Sequence, residues 1–136
     1  MKTININGKD YTVEELTKIL DDAKKVSPMQ RVFEYHNTTE EEFDKLYQNL
    51  PKHVKSFEKE CMVVAYYNKG WKPDFNNSKE YKYYPWFYMN DFRLNCVYFY
   101  VADSDCSARA LFKNEEDCKE AVKEFFEVFK ESRLNL

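Results

Sequence analysis

The stretch Glu80-Tyr81-Lys82-Tyr83-Tyr84-Pro85-Trp86-Phe87 decides the architecture, together with Leu94-Asn95-Cys96-Val97-Tyr98-Phe99-Tyr100-Val101-Ala102 and Ala108-Arg109-Ala110-Leu111-Phe112. All three are rich in Tyr, Phe, Val and Trp, which suit a pleated, half-buried surface, and their helical periodicity is weak. They are expected to form three strands, with Asp103-Ser104-Asp105-Cys106-Ser107 as the turn between the last two. Links of this length close antiparallel pairs and are too short for parallel crossovers.

Upstream, Val54, Phe57, Cys61, Val64 and Ala65 recur at a spacing that a strand period of two does not explain. The spacing predicts a helix that starts after Pro51, a residue tolerated in a first turn, and ends near Asn68, with Gly70 supplying a left-handed cap. A turn-rich loop from Trp71 to Ser78 follows. Before this helix, Thr38-Thr39-Glu40-Glu41-Glu42 opens another, whose apolar face is Phe43, Leu46, Tyr47 and Leu50. At the N-terminus, alternation around Asn7-Gly8 predicts a hairpin over residues 3–12. Thr12 and Glu15 form a capping box for a helix carrying Leu16, Ile19, Leu20 and Ala23, running to about Lys25 and stopped at Ser27-Pro28. Residues 29–37 have no clear assignment, although Val32, Phe33 and Tyr35 have packing character. At the other end, Asn114 caps a closing helix with Cys118, Ala121, Val122, Phe125, Phe126 and Phe129 on one broad face. The expected order is ββ-ααα-βββ-α: one α+β domain over residues 1–136, with about four helices on a small antiparallel sheet of three main strands plus the N-terminal hairpin.

Composition narrows the function classes. The chain has 11 Phe, 11 Tyr and 2 Trp against only 2 Gly, too few glycines for the phosphate cradles of the common nucleotide folds. A net charge of −3 neither repels nor attracts nucleic acid strongly, so any electrostatic function is local. Cys61, Cys96, Cys106 and Cys118 include no Cys-x-x-Cys pair, and His36 and His53 stand alone, so neither a metal site nor a cofactor is expected. With no signal-peptide pattern and no apolar run long enough to cross a bilayer, the reading is a cytoplasmic protein with reduced thiols and no membrane contact.

Three motifs in order carry a resemblance. Asn68-Lys69-Gly70-Trp71-Lys72-Pro73-Asp74-Phe75, Lys82-Tyr83-Tyr84-Pro85-Trp86-Phe87 and Ser107-Ala108-Arg109-Ala110-Leu111-Phe112-Lys113-Asn114 resemble a family of small uncharacterised proteins from phages and integrated elements of Bacteroides-type gut bacteria. That family pattern has a helix ending in Gly-Trp-x-Pro-Asp, a Lys-Tyr-Tyr-Pro-Trp-Phe strand, an Arg-x-x-Phe-Lys strand and a closing amphipathic helix. The likeness covers about residues 54–133. The family usually places glycine where Asp91 precedes Phe92, so the turn here is expected to differ. The resemblance implies a mobile-element origin, in the host cytoplasm or the virion, and transfers no activity or catalytic residue.

The segment from Trp71 to Tyr88 concentrates the candidate chemistry. Trp71, Phe75, Tyr81, Tyr83, Tyr84, Trp86, Phe87 and Tyr88 interleave with Lys69, Lys72, Lys79 and Lys82, a mixture able to stack bases and neutralise phosphates. Strand alternation offers a plainer account, in which Tyr81 and Tyr83 face one way and Lys82 and Tyr84 the other, with one set filling the core. Asp103-x-Asp105 lacks the ligand spacing of a calcium loop and reads as a turn. Carboxylates beside Cys106 argue against a thiolate nucleophile, and no triad pattern surrounds either histidine. The acidic runs Glu40–Glu42 and Glu115–Asp117 sit where helix dipoles favour them.

The sequence therefore points to a non-enzymatic phage or mobile-element accessory protein acting through protein–protein contact, with a copy of itself, a virion component or a host protein. The candidate interface is Trp71, Lys72, Lys82, Tyr84, Trp86 and Tyr88. No small-molecule substrate is implied. The alternative is a nucleic-acid-binding accessory protein that uses the aromatic and lysine surface of residues 71–88.

Overall fold

A computed structural model describes residues 2–24 and 27–134. Asn7 and Gly8, both at positive φ (51° and 84°), close the two-residue turn that pairs β1 (Thr3–Ile6) with β2 (Lys9–Thr12). Thr12 Oγ1 accepts the Glu15 N–H at 3.1 Å and so caps α1 (Val13–Lys24) as the sequence leads one to expect; Lys25 lies outside the described residues. Pro28 does more than stop α1. It occupies the first turn of a further helix, α2 (Pro28–Tyr35), where its missing N–H costs nothing, and Val32 and Phe33 of this helix are buried.

α3 (Glu40–Leu46) is capped by Thr39, and α4 (Lys52–Asn68) follows Pro51. Of the predicted α3 face only Phe43 is buried; Leu46 and Leu50 are exposed. α4 ends as predicted, with Lys69 (φ 48°) taking the left-handed cap ahead of Gly70 (φ 89°). Its buried side is Ser56, Glu60, Cys61, Met62, Val63, Val64 and Asn68, while Phe57 is exposed. Cys61 and Val64 are buried as expected, while an ion pair holds Glu60 on the inner side: Arg133 Nε donates to Glu60 Oε1 at 2.7 Å and Nη2 to Oε2 at 3.3 Å.

β3 (Lys82–Tyr88) and β4 (Arg93–Tyr100) form an antiparallel hairpin in which Lys82 faces Tyr100, Tyr84 faces Tyr98 and Trp86 faces Cys96, with a bulge beyond Trp86. The expected third strand, Ala108–Phe112, does not form. Residues Ala108–Ala110 wind into a 3-10 turn capped by Ser107, and only Phe112 bridges β3, exchanging bonds of 3.0 and 2.7 Å with Tyr83. Two neighbours explain this. The next ladder bond would need a donor from Pro85, which has none, and the far side of the segment is tied to the buried Asn68 amide, which donates to Leu111 O and accepts from Lys113 N–H.

Asn114 caps α5 (Glu115–Glu124) through the Asp117 N–H at 2.7 Å. The single closing helix expected from the sequence breaks at Phe125 (φ −113°, ψ 32°), and α6 (Phe126–Arg133) packs against α4. The order among the described residues is thus ββ-αααα-ββ-αα, an α+β arrangement with two two-stranded antiparallel sheets instead of the expected ββ-ααα-βββ-α. The core joins Val32, Phe33, Phe43, Met62, Val63, Val64, Phe112, Cys118, Ala121, Val122, Phe125 and Phe129 to Phe87 and Phe92 of the hairpin. It contains no residue of β1, β2 or α1, whose Ile4, Ile6, Val13, Ile19 and Leu20 are all exposed. No helix among the described residues is long and apolar enough to cross a membrane.

Candidate interaction surface

Alternation along β3 sends Tyr83, Pro85 and Phe87 to the helices and Lys82, Tyr84, Trp86 and Tyr88 to the opposite, outer face. The two lower members of that outer face are not available to a partner. Lys82 is 0% exposed, and its Nζ donates to the carbonyls of Asn77 (3.1 Å), Glu80 (2.8 Å) and Val101 (2.6 Å), with Glu80 Oε1 at 3.7 Å and the Phe75 ring beneath it. It clasps the 77–80 loop to the end of β4 and neutralises carbonyl dipoles, leaving no free charge for a phosphate. Tyr84 is buried at 8%, stacked on Tyr100 with ring centres 4.4 Å apart, and Tyr100 in turn donates its hydroxyl to Asp105. Burial first, then the bonds to Asp105 and Tyr84, push the Tyr100 hydroxyl pKa upward.

Beyond Tyr84 the loops give out and the outer face opens. Trp86 (53% exposed), Tyr88 (40%), Met89 (52%) and Tyr98 (53%) lie in the open on the outer face and its turn. Arg93 lies over the Tyr88 ring at 4.1 Å and donates to Asp91 at 2.9 Å, a polar rim at the turn end. On the inner face Phe99 stacks on Tyr81 with ring centres 4.4 Å apart, and both are partly exposed at the margin of the helices. Tyr98, Phe99 and Met89 were absent from the residues singled out in the sequence. The signal for Tyr98 was its register opposite Tyr84, which needs the pairing and not the composition.

Trp71 and Lys72 belong elsewhere. They line a cleft of about 1060 Å³ between α3, α4 and the 3-10 turn, with Phe43, Met62 and Ala65 among its walls and Glu42, Glu58 and Arg109 among its charged groups. The Tyr47 hydroxyl in its wall has a raised pKa, through burial and Glu58 against the opposing pull of Arg109. His36, also in this wall, spends Nε2 on Met62 O at 2.9 Å. The six candidate residues thus divide into a buried clasp (Lys82, Tyr84), an exposed patch (Trp86, Tyr88) and a separate cleft (Trp71, Lys72). In comparisons with known proteins, no family model, no curated protein and no solved structure matches the chain.

Proposed function

We propose that this chain is a non-enzymatic accessory protein that acts by protein–protein contact through the outer face of the β3–β4 hairpin. One observation carries the reading: Trp86, Tyr88, Met89 and Tyr98 stay in the open on the outer face and turn of a hairpin where Tyr84 and Phe87 are packed or stacked away. Aromatic side chains of this kind dominate interface energetics, because they offer large rigid area at small entropic cost. The motif resemblance supports a phage or integrated-element origin, with the host cytoplasm or the virion as the setting. The buried state of Lys82 and Tyr84 narrows the contact set to Trp86, Tyr88 and Tyr98.

The test compares the wild type with a Trp86→Ser/Tyr98→Ser variant as bait in expressing cells, with Leu46→Ser, on an exposed site of α3, as control. A stoichiometric partner is expected on the wild type and the control and lost on the double variant, with affinity weakened roughly 30-fold or more for hot-spot residues. Equal capture by all three refutes the reading. Oligonucleotide binding in low salt that depends on Trp86 replaces it with the nucleic-acid alternative.

A further inference from the structure

The free edge of β4 extends this reading and identifies one partner. The Phe112 bridge uses the N–H and C=O of Tyr83, so those groups point away from β4, and by alternation those of Lys82, Tyr84 and Trp86 point toward it. On β4 the residues that bond β3 are therefore Tyr100, Tyr98 and Cys96, while the main-chain groups of Val97 and Phe99 project outward. These have no hydrogen-bond partner among the described residues, and no further strand lies on that side. Natural edge strands are normally guarded by a charge, a proline or a covering loop. Residues 94–102, Leu-Asn-Cys-Val-Tyr-Phe-Tyr-Val-Ala, carry neither charge nor proline.

We propose that β4 pairs antiparallel with β4 of a second copy across a two-fold axis at Tyr98, joining two hairpins into a four-stranded sheet. The proposal rests on the interaction reading above and names its partner. In this register Val97 of each copy faces Phe99 of the other, so all four outward amide and carbonyl pairs are satisfied at once, and Tyr98 meets its own symmetry mate. A second copy suits the edge because residues 94–102 carry no charge to repel their own copy, whereas an acidic or basic peptide finds no complement there. The outer faces of the two copies then form one continuous aromatic surface, with a Trp86 on each side. Tyr81, Tyr98 and Phe99, at 47, 53 and 38% exposed, each offer roughly 150–250 Å² in full. Their share is roughly 200–350 Å² per copy, below the size of stable interfaces, so the pairing is weak and reversible and rests on the main-chain bonds as much as on the aromatics; dissociation in the micromolar range is the expected outcome.

Directly opposed residues at a non-hydrogen-bonded position bring their Cα atoms to about 4.5 Å, within reach of a disulfide. In a Cys96→Ser/Cys106→Ser background, Tyr98→Cys is expected to cross-link to a covalent dimer on mild oxidation at about 100 µM, above the micromolar dissociation constant. Met89→Cys, equally exposed but in the β3–β4 turn, is expected not to. Tyr98→Lys, which sets two ammonium groups on the axis without touching the core, weakens the sedimentation dimer at least tenfold. Cross-linking of Met89→Cys as fast as Tyr98→Cys overturns the register, and a wild type that sediments as a monomer up to about 200 µM overturns the pairing. If Trp86-dependent capture of a different protein persists in that monomer, self-pairing fails while the interaction reading stands. Dimers lost in Tyr98→Lys but kept in Trp86→Ser assign the contact to the edge itself.

Discussion

Replacing Lys82 by Met keeps an unbranched stem out to Cε and removes the ammonium, and it tests whether this lysine is a structural clasp. A lysine on a solvated strand face is worth little, and its loss changes stability by about 0.5 kcal/mol or less. Lys82 instead donates three bonds of 2.6 to 3.1 Å from a side chain with no exposed area. Hydrogen bonds to a charged group contribute about 1.5–3 kcal/mol each, and the several kcal/mol spent in desolvating the ammonium offset part of that sum. In the variant, water reaches the carbonyl of exposed Asn77, whereas those of the half-buried Glu80 and Val101 are left partly unsatisfied. The expected net loss is about 3 kcal/mol, or roughly 10 °C in Tm for a chain of this size. Urea unfolding followed by tryptophan fluorescence measures it, with the midpoint lowered and the slope unchanged. Amide exchange over 77–80 should quicken beyond the global effect, since the loop loses its tether. A loss below about 1 kcal/mol refutes the clasp and returns Lys82 to the set of functional lysines.

The other predictions concern the interior. Glu60→Ala breaks the Arg133 pair that joins α4 to α6 and should cost about 3–5 kcal/mol, whereas Glu60→Leu/Arg133→Leu recovers part of that loss; a double-mutant cycle with no coupling contradicts this. Burial, with Glu60 and Glu58 adding to it, pushes the Cys61 thiol up to about 12, and burial likewise raises that of Cys118. A thiol reagent at pH 8 should therefore take exposed Cys96 first and reach these two only on unfolding; equal labelling rates defeat the assignment. The half-buried Tyr67 hydroxyl, which donates to Glu124, is raised from 10.0 to about 12, by burial first and then by Glu120. Because the folded state holds this proton more tightly, its contribution is complete below pH 10 and is lost as pH rises toward 12; Tyr67→Phe should flatten that part of the stability curve.

Much of the architecture was legible because local signals agreed with the tertiary result. Asn7-Gly8, the Thr12 capping box, Thr39 before its acidic turn and Asn114 before Asp117 each act as their residue types require. The failures have physical causes that local pattern does not carry. Pro28 was read as a stop because a proline looks the same at the end of one helix and at the first turn of the next. On α4 the expected Cys61 and Val64 are buried, but Phe57 is exposed and Glu60 lies inside, because a glutamate at 60 reads as solvent-facing until Arg133, 73 residues away, is known to neutralise it. Phe92 holds a positive φ of 42°, unfavourable for a bulky residue, which stacking on Phe87 at 4.4 Å and contact with Phe126 sustain. The Asp91-Phe92 turn was visible in the sequence, but not the packing that sustains it.

The same distinction governs the candidate surface. Alternation set Lys82 and Tyr84 on the face opposite Tyr83, and what it lacked was the cover that the 75–80 loop lays over Lys82 and the Tyr100 ring over Tyr84. Pro85 has a larger consequence than its own strand. Its ring points the missing donor away from β4, so the hairpin survives, but it ends the ladder with the 108–112 segment after one bridge. A sheet of two strands is marginal by itself. It gains stability here from helices on the inner face and from the Lys82 clasp on the outer one, and neither reaches the far edge of β4. That edge therefore leaves main-chain bonding for a neighbour to complete, and it lies beside the aromatics that the loops leave uncovered.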